Sequence, residues 1–316
     1  MKIVFFGTPH IAAEILKSLI GSRHQVIAVV TQPDRTSGRG RQVHYSPVKE
    51  TALEAGIEVL QPEKINDSVV LDGIEALKAD LHVVAAYAQK LPNRLLDMAP
   101  VGCINVHPSL LPKYRGAAPM MAAILNGDRV SGVTIMKMAE KMDAGDILLQ
   151  QEMPLEEDET NTSIEEKAIA LGGKLLLETI DGLEAGNIVP VPQDESQSTY
   201  VRQIGKEAGI IDWSEPAASI ERKMRAYDPW PGTYTYLEGK TFKIFSARVI
   251  DSVEDRGISG TFAAGSIAYS GKKELIAACG SGYLELLEVQ LEGKKRMSTE
   301  EFLRGKKVEA GTVFGK

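Results

Sequence analysis

Two cysteines in 316 residues, Cys103 and Cys279, are too few and too far apart for a disulfide framework or a thiolate metal cluster. Histidine is also sparse, and no H-x-x-x-H, C-x-x-C or calcium-loop spacing occurs, so no metal ligand set is expected. Long apolar runs are missing too. Nothing approaches the ~20 residues of a membrane span, and the opening MKIVFF breaks into Gly7-Thr8-Pro9 before it could form a signal-peptide core. The expectation is a protein of the reducing cytoplasm with no membrane partner. An excess of positive charge is lacking as well: the formal net charge is -7, which as a bulk number argues against nucleic acid. Its distribution weakens that argument. Residues 205–316 carry 17 Lys+Arg against 16 Asp+Glu, and residues 1–204 carry 19 against 27, so the acidic excess lies entirely in the first part.

The first half alternates short apolar runs with helical patterns. KIVFFG, QVIAVVT, IEVLQP, LHVVAAY and GCINVH have strand length and stand between helical stretches such as HIAAEILKSLI and SPVKETALEAG. Runs that are apolar throughout fit parallel strands buried on both faces, so an α/β, Rossmann-like doubly wound sheet is predicted. Ser46-Pro47 and Thr8-Pro9 each read as an N-cap followed by proline at the first helical position. Further on, Gly145 allows a turn between Asp143 and Asp146, and residues 161–186 form one long amphipathic helical pattern ending at glycine. The first domain is expected over 1–188. Residues 189–204, rich in Gln, Ser and Asp, have linker composition. Over 205–316 a helical stretch precedes short strands separated by glycine turns, which predicts a smaller antiparallel β-barrel, OB-like in type. Trp230, between two prolines, reads as an interdomain packing anchor rather than a base-stacking platform.

Ligands of doubly wound sheets sit at the carboxyl ends of the strands, where Gly7-Thr8-Pro9, Tyr87 and Asn105-Val106-His107 fall. A dinucleotide site would need G-x-G-x-x-G, yet no glycine follows Gly7 until Gly21, so Gly7 reads as a tight strand-to-helix turn. No G-x-S-x-G occurs, and neither cysteine has a histidine placed to activate it. Asn105 and His107 are different. At positions i and i+2 of a strand they project from the same face, and an amide beside an imidazole can hydrogen-bond a developing oxyanion, with Asp143 as a carboxylate able to orient the ring. That kit suits acyl-group transfer. An isolated strand-end histidine is more often merely satisfied by backbone, and sequence spacing does not itself bring Asp143 to it. His10, His24, His44 and His82 lack such a setting and read as surface or turn residues, and both cysteines as buried apolar ones.

The motifs FFGTP, TQPDRTSGRGR, SPVK, GCINVHPSLLPKYRGAAP, GVTIMKM, KMDAGDIL, RAYDPWPGTY and GKKRMSTEEFLRG occur in that order over almost the whole chain. NVHPSLLP alone resembles any enzyme using 10-formyltetrahydrofolate. The longer set resembles the methionyl-tRNA formyltransferase family. The resemblance implies that 10-formyltetrahydrofolate, as co-substrate and without a metal, donates a formyl group to the α-amine of methionine on initiator methionyl-tRNA. It also implies that Asn105, His107 and Asp143 are catalytic, that Ser109, Leu110, Leu111 and Pro112 form the folate-binding loop, and that Tyr87 to Leu91 line the pteridine pocket. The competing readings are a formyltransferase acting on a small-molecule amine, such as a sugar nucleotide or ribonucleotide, and a non-enzymatic folate- or RNA-binding module.

Between Gln32 and Gln42 the chain carries Arg35, Arg39 and Arg41 against Asp34, with two glycines and no apolar residue except Pro33. Read alone this is a solvated loop, and the resemblance implies that Arg35, Arg39 and Arg41 contact tRNA. The basic runs Lys294 to Arg296 and Arg304 to Lys307 fit a solvated surface and a tRNA contact equally well. Replacing Arg39 by Ala is expected to lower affinity for charged tRNA while folate binding is unchanged. If Arg39 meets a phosphate, the salt slope of binding falls by roughly one unit, measured over a salt series for wild type and variant. Unchanged affinity, slope and turnover would return the loop to a solvated connector.

Overall fold

A computed structural model describes residues 1–37, 42–254, 257, 258 and 260–315. The chain divides into two compact units. One comprises residues 1–119, 130–155 and 164–202, and the other residues 120–129, 156–163 and 203–316.

The first unit opens with Lys2–Gly7 (β1), His10–Ile20 (α1) and Gln25–Val30 (β2). A short hairpin of Arg35–Ser37 (β3) and Gln42–His44 (β4) precedes Pro47–Glu54 (α2) and Glu58–Leu60 (β5). Ser68–Ala76 (α3), Leu81–Ala85 (β6), Asn93–Leu96 (α4), Gly102–His107 (β7) and the two-residue Arg115–Gly116 (β8) follow. After Pro119–Asn126 (α5), which apart from Pro119 belongs to the second unit, come Val130–Lys137 (β9), Ile147–Pro154 (β10), the long helix Asn161–Glu184 (α6) and Tyr200–Val201 (β11).

Seven strands form one sheet in the order β10-β9-β7-β6-β1-β2-β5. The five from β7 to β5 are parallel, as their unbroken apolar runs require, while β9 and β10 add antiparallel at the β7 side. Under one face Val4, Phe6, Leu71, Ile74, Val84 and Cys103 belong to a single core. On the other face a Cβ at Gly172 of α6 would lie 3.2 Å from Val106 and 3.7 Å from Ile15 of α1. The helix therefore packs closely over the carboxyl-terminal end of β7.

Ser46 caps α2 by accepting from the Lys49 amide, with Pro47 at the first position, as the sequence predicts. The Thr8-Pro9 start differs. Pro9 is the N-cap of α1, and the Thr8 hydroxyl donates instead to the Tyr87 carbonyl at 3.3 Å. Residues 189–204, whose composition reads as linker, are tied to the first unit as far as Val201: β11 pairs with β8, and Val191 pairs with Ile147.

In the second unit Ala217–Tyr227 (α7) precedes Thr233–Leu237 (β12), Lys240–Ile250 (β13), Ile267–Ser270 (β14), Leu275–Ala278 (β15) and Tyr283–Leu291 (β16). Met297–Ser298 (β17) and Thr299–Gly305 (α8) follow. The antiparallel sheet runs β12-β13-β16-β15-β14, with β17 on β16, and curves in barrel-like fashion over a core that includes Ile220, Met224, Phe242, Ile244 and Leu284. Trp230, expected as a packing anchor, is 52% exposed. Packing falls to Trp213, which stacks on Phe314 with ring centroids 5.0 Å apart and donates to the Thr235 hydroxyl at 3.1 Å.

Gly7 is required by close approach. A Cβ there would sit 2.7 Å from the Ala12 Cβ and 2.9 Å from the Ala85 carbonyl oxygen, so α1 could not start so near β6. Gly21 ends α1 at φ -75° with only ordinary contacts around a Cβ. Gly7→Ala is therefore expected to destabilise the protein by about 1–3 kcal/mol. Gly21→Ala should be neutral or stabilising by up to about 1 kcal/mol. Chemical denaturation of the two variants side by side checks the contrast.

Candidate active site

Three parallel strands end together. Gly7 of β1 is level with Ala85 of β6, and Val84 of β6 with Asn105 of β7, so β7 projects beyond its neighbour by His107. There its partner is β9 alone, with His107 opposite Thr134. Val106 points toward α6, and alternation turns Asn105 and His107 to the opposite face. Both are buried, at 8% and 4% exposure.

The imidazole Nε2 lies 3.0 Å from the Tyr114 carbonyl oxygen, which can only accept, so this nitrogen carries a proton. The other nitrogen, Nδ1, faces the Asp143 carboxylate at 3.8 Å, an electrostatic contact too long for a hydrogen bond. Asp143 is itself held, because its Oδ2 accepts from the Gly116 amide at 2.8 Å. Two residues on, a Cβ at Gly145 would fall 1.8 Å from the Lys137 carbonyl oxygen, so only glycine lets this loop fold back against the end of β9. Among the described residues no hydrogen bond reaches the Asn105 carboxamide, which leaves its donors for a ligand.

The segment after His107 is braced from β9 and β10. The Thr134 hydroxyl donates to the Ser109 carbonyl at 2.6 Å and accepts from the Leu111 amide at 3.2 Å and from the Gln150 side chain at 2.7 Å. The Gln150 amide also donates to the Leu111 carbonyl at 3.0 Å, next to the cis Leu111-Pro112 bond. Ser109 donates to the Lys113 carbonyl at 2.8 Å and closes the loop on itself. Leu110 lies against Gly132, where a Cβ would come within 2.4 Å of its Cδ2.

At the end of β6, Ala86 and Ala88 take left-handed φ angles of 46° and 70°. Tyr87 and Leu91 turn into the core rather than outward. The Tyr87 ring meets Phe6 edge to face at 5.7 Å, and its carbonyl accepts from Thr8 and from Gln32. Its hydroxyl is buried with no hydrogen-bond partner among the described residues, and burial pushes its pKa up to about 12.

Residues 1–180 match the family model described as formyl transferase, and residues 203–307 match that of the formyl transferase C-terminal domain. The chain is 46% identical over 314 residues to the methionyl-tRNA formyltransferase of Agathobacter rectalis, with 99% of both chains covered. It is 44% identical over 315 residues to that of Caldanaerobacter subterraneus, covering 99% of this chain and 100% of the relative. The chain belongs to the methionyl-tRNA formyltransferase family. Two solved structures share the fold. An N-formyltransferase from Helicobacter canadensis, in complex with folinic acid and dTDP-3-aminofucose, superposes with a TM-score of 0.66 at 16% identity, over 90% of this chain and 98% of that one. HypX from Aquifex aeolicus, in complex with tetrahydrofolic acid, gives 0.62 at 19% identity and covers 99% of this chain but 51% of its own.

Of the arginines in the loop after β2, Arg35 lies exposed at the start of β3. Arg39 and Arg41 lie outside the described residues. The base of this hairpin is fastened by Lys49, whose Nζ donates to Asp34 at 2.5 Å and to Gln61 at 2.8 Å and lies 3.9 Å from the centre of the Tyr45 ring. Nothing in the sequence signals that the Lys49-Asp34-Gln61 group meets.

Two histidines depart from the surface reading. His82 is buried in β6, its Nδ1 3.1 Å from the Leu95 carbonyl oxygen, and burial pushes its pKa down. His24 is buried with Nε2 3.1 Å from Asp181. Both sit away from the carboxyl ends of β1, β6 and β7. Burial likewise pushes up both cysteine thiols, which suits the packing role expected of them.

Thr134 gives the loop its strongest test. Thr134→Val keeps the shape but strips the Ser109 carbonyl and the Leu111 amide of their shared partner. A loss of about 1–3 kcal/mol in stability is expected. Denaturant titration measures it, and an unchanged midpoint would mean that the loop does not depend on this hydroxyl.

Proposed function

We propose that this chain is an enzyme that transfers the formyl group of 10-formyltetrahydrofolate to the α-amine of methionine on initiator methionyl-tRNA, giving the N-formylmethionyl-tRNA used to start translation. The reading is carried by the Asn105, His107 and Asp143 arrangement at the end of β7. It is supported by full-length similarity to relatives of that name. We assign residues 1–188 as the catalytic domain, 189–204 as the connection and 205–316 as a tRNA-binding domain.

An N-formyl group is amide-like. The methionyl nitrogen attacks the formyl carbon, a tetrahedral oxyanion forms, the bond from carbon to the folate nitrogen breaks, and that nitrogen takes up a proton as the amine gives one up. The amine is the nucleophile, so no covalent enzyme intermediate is required. What the chain must supply is donors for the oxyanion and a route for the proton. Asn105 offers a neutral donor. His107 keeps one proton on Nε2 for Tyr114, and when Nδ1 accepts the amine proton the ring becomes a cation with a second donor. Asp143, 3.8 Å away, stabilises that cation. The residue then returns the proton to the leaving nitrogen.

The folate is assigned to residues 87–91 and 109–112. The partnerless Tyr87 hydroxyl supports this, because a buried polar atom without a partner suits a ligand group that completes it. With the Tyr87 ring itself in the core, the hydroxyl and the local backbone are the contacts this segment offers. The folate supplies the activated formyl group, and the braced loop at Ser109–Pro112 supplies a fixed wall. The tRNA contacts are assigned to Arg35, Arg39 and Arg41, whose charge is local in an otherwise acidic first part.

The test is formation of formylmethionine from 10-formyltetrahydrofolate and charged initiator tRNA. Asn105→Ala is expected to lower kcat by about 10²–10³, the usual loss for one oxyanion donor. His107→Ala and Asp143→Ala should each remove most turnover while the thermal transition is preserved. Near-normal turnover of His107→Ala would overturn the assigned chemistry, and formylation of a sugar nucleotide in place of tRNA would shift the substrate class.

A further inference from the structure

Residues 193–201 reach both partners of the His107 ring. Thr199 takes the Arg115 amide on its carbonyl at 2.9 Å and the Tyr114 amide on its hydroxyl at 2.7 Å, so it fixes the peptide units around the carbonyl that receives His107 Nε2. Gln193 holds the other side. Its Oε1 accepts from Arg115 Nε at 3.1 Å and from a terminal guanidinium nitrogen at 2.8 Å, and its Nε2 donates to the Asp143 carbonyl at 2.9 Å and the Gly145 carbonyl at 2.7 Å.

All four hydrogen-bonding positions of this carboxamide are in use, and only one orientation works. A flipped amide would set its NH₂ against the guanidinium and its oxygen against two carbonyls. The anchor behind it is rigid. Arg115 is 0% exposed and also donates to the Tyr200 hydroxyl at 2.9 Å and to Glu195 at 2.8 Å. Arg115 and Lys141 together pull the Glu195 carboxyl down to about 2. Asp143, held through its carbonyl, has the left-handed φ of 50°, a conformation that a non-glycine residue keeps only when its surroundings impose it. That backbone is what points its carboxylate at the Gly116 amide and at His107.

We propose that Gln193 is a positioning residue, which transmits the rigidity of buried Arg115 to Asp143 and thereby sets the distance and direction of that carboxylate from the His107 ring. The proposal rests on the formyl-transfer reading for its activity readout and on geometry alone for its structural one.

Gln193→Glu tests it with an isosteric change. The carboxylate still accepts from Arg115 but sets an oxygen against the Asp143 and Gly145 carbonyls. Gln193→Asn is one methylene too short to span both partners and serves if the first variant does not fold. Turnover on charged initiator tRNA is expected to fall between about tenfold and a hundredfold, as misplacement of a catalytic group does. KM for 10-formyltetrahydrofolate and for tRNA should stay within about threefold, since neither substrate is assigned to this residue. In an Asp143→Asn background the same change should cost less than about threefold, because it acts through a carboxylate already gone.

A second readout needs no turnover. The NMR signals of the His107 ring, assigned with His107→Asn, are expected to move in the Gln193 variant in the direction they move in Asp143→Asn. A kcat within threefold of wild type, an undiminished loss in the Asp143→Asn background, or unmoved His107 signals would each overturn the positioning role. Inactivity of the wild-type protein on tRNA would instead overturn the reaction assigned above, with the His107 signals still deciding the role of Gln193.

Discussion

The alternation of side chains along β7 is the constraint from which the rest of the site follows. A strand buried on both faces has to supply apolar surface to each, yet β7 ends with a carboxamide and an imidazole on one of them. Val106, between the two, packs under Gly172 of α6 and fixes which face that is. A slip of one residue would bury Asn105 and His107 beneath the helix and turn Val106 to the site. The register is secured by pairing with β6 as far as Asn105 and by β9 beyond it. Where the parallel neighbour stops, His107 faces the loops, and the antiparallel strand alone carries the Thr134 hydroxyl that shapes them.

The loops are held by contacts that cross long stretches of sequence. Thr134 and Gln150 brace residues 109–111 from the antiparallel pair, and Gln193 with Thr199 braces 114–116 and 143–145 from the far end of the unit. Each brace is a side chain whose polar atoms pair with loop backbone groups. Here stability and placement of the site are a single problem. Under the proposed assignment of this loop to folate, a loop open to substrate could not fill itself with side chains, and its shape would be imposed from behind.

Much of this was legible in the sequence. The parallel strands announced themselves as unbroken apolar runs, the Asn105 and His107 pair by spacing at a strand end, and the long helix over 161–186 by its periodicity. What stayed hidden has one physical character. Gln193 and Glu195 lie in a stretch whose polar composition reads as linker, because composition reports what a residue is and not which buried guanidinium it meets. Tyr87 stands where a ligand wall is expected, but its ring fills the core and only its hydroxyl is left over. His24 and His82 lack any motif and are buried all the same, one against a carboxylate and one against a carbonyl. Arg115 gives no hint that a full charge sits at 0% exposure, since only partners from residues 193–200 make that tolerable.

These hidden residues bear on the kind of catalysis the site performs. In the reaction proposed above the attacking nitrogen comes with the substrate, so the protein would add no nucleophile of its own, and what it would contribute is the placement of donors and a proton acceptor. Placement is sensitive to fractions of an ångström and so depends on whatever holds the holders. A carboxylate at 3.8 Å from a histidine on a left-handed backbone would drift if its peptide were free. Under the proposed role of Gln193, a saturated carboxamide ties that peptide to a buried arginine. The residues that define such a site therefore include ones remote in sequence and silent as motifs. The strand end states what chemistry is available, and the polar segment some ninety residues later determines whether the geometry for it persists.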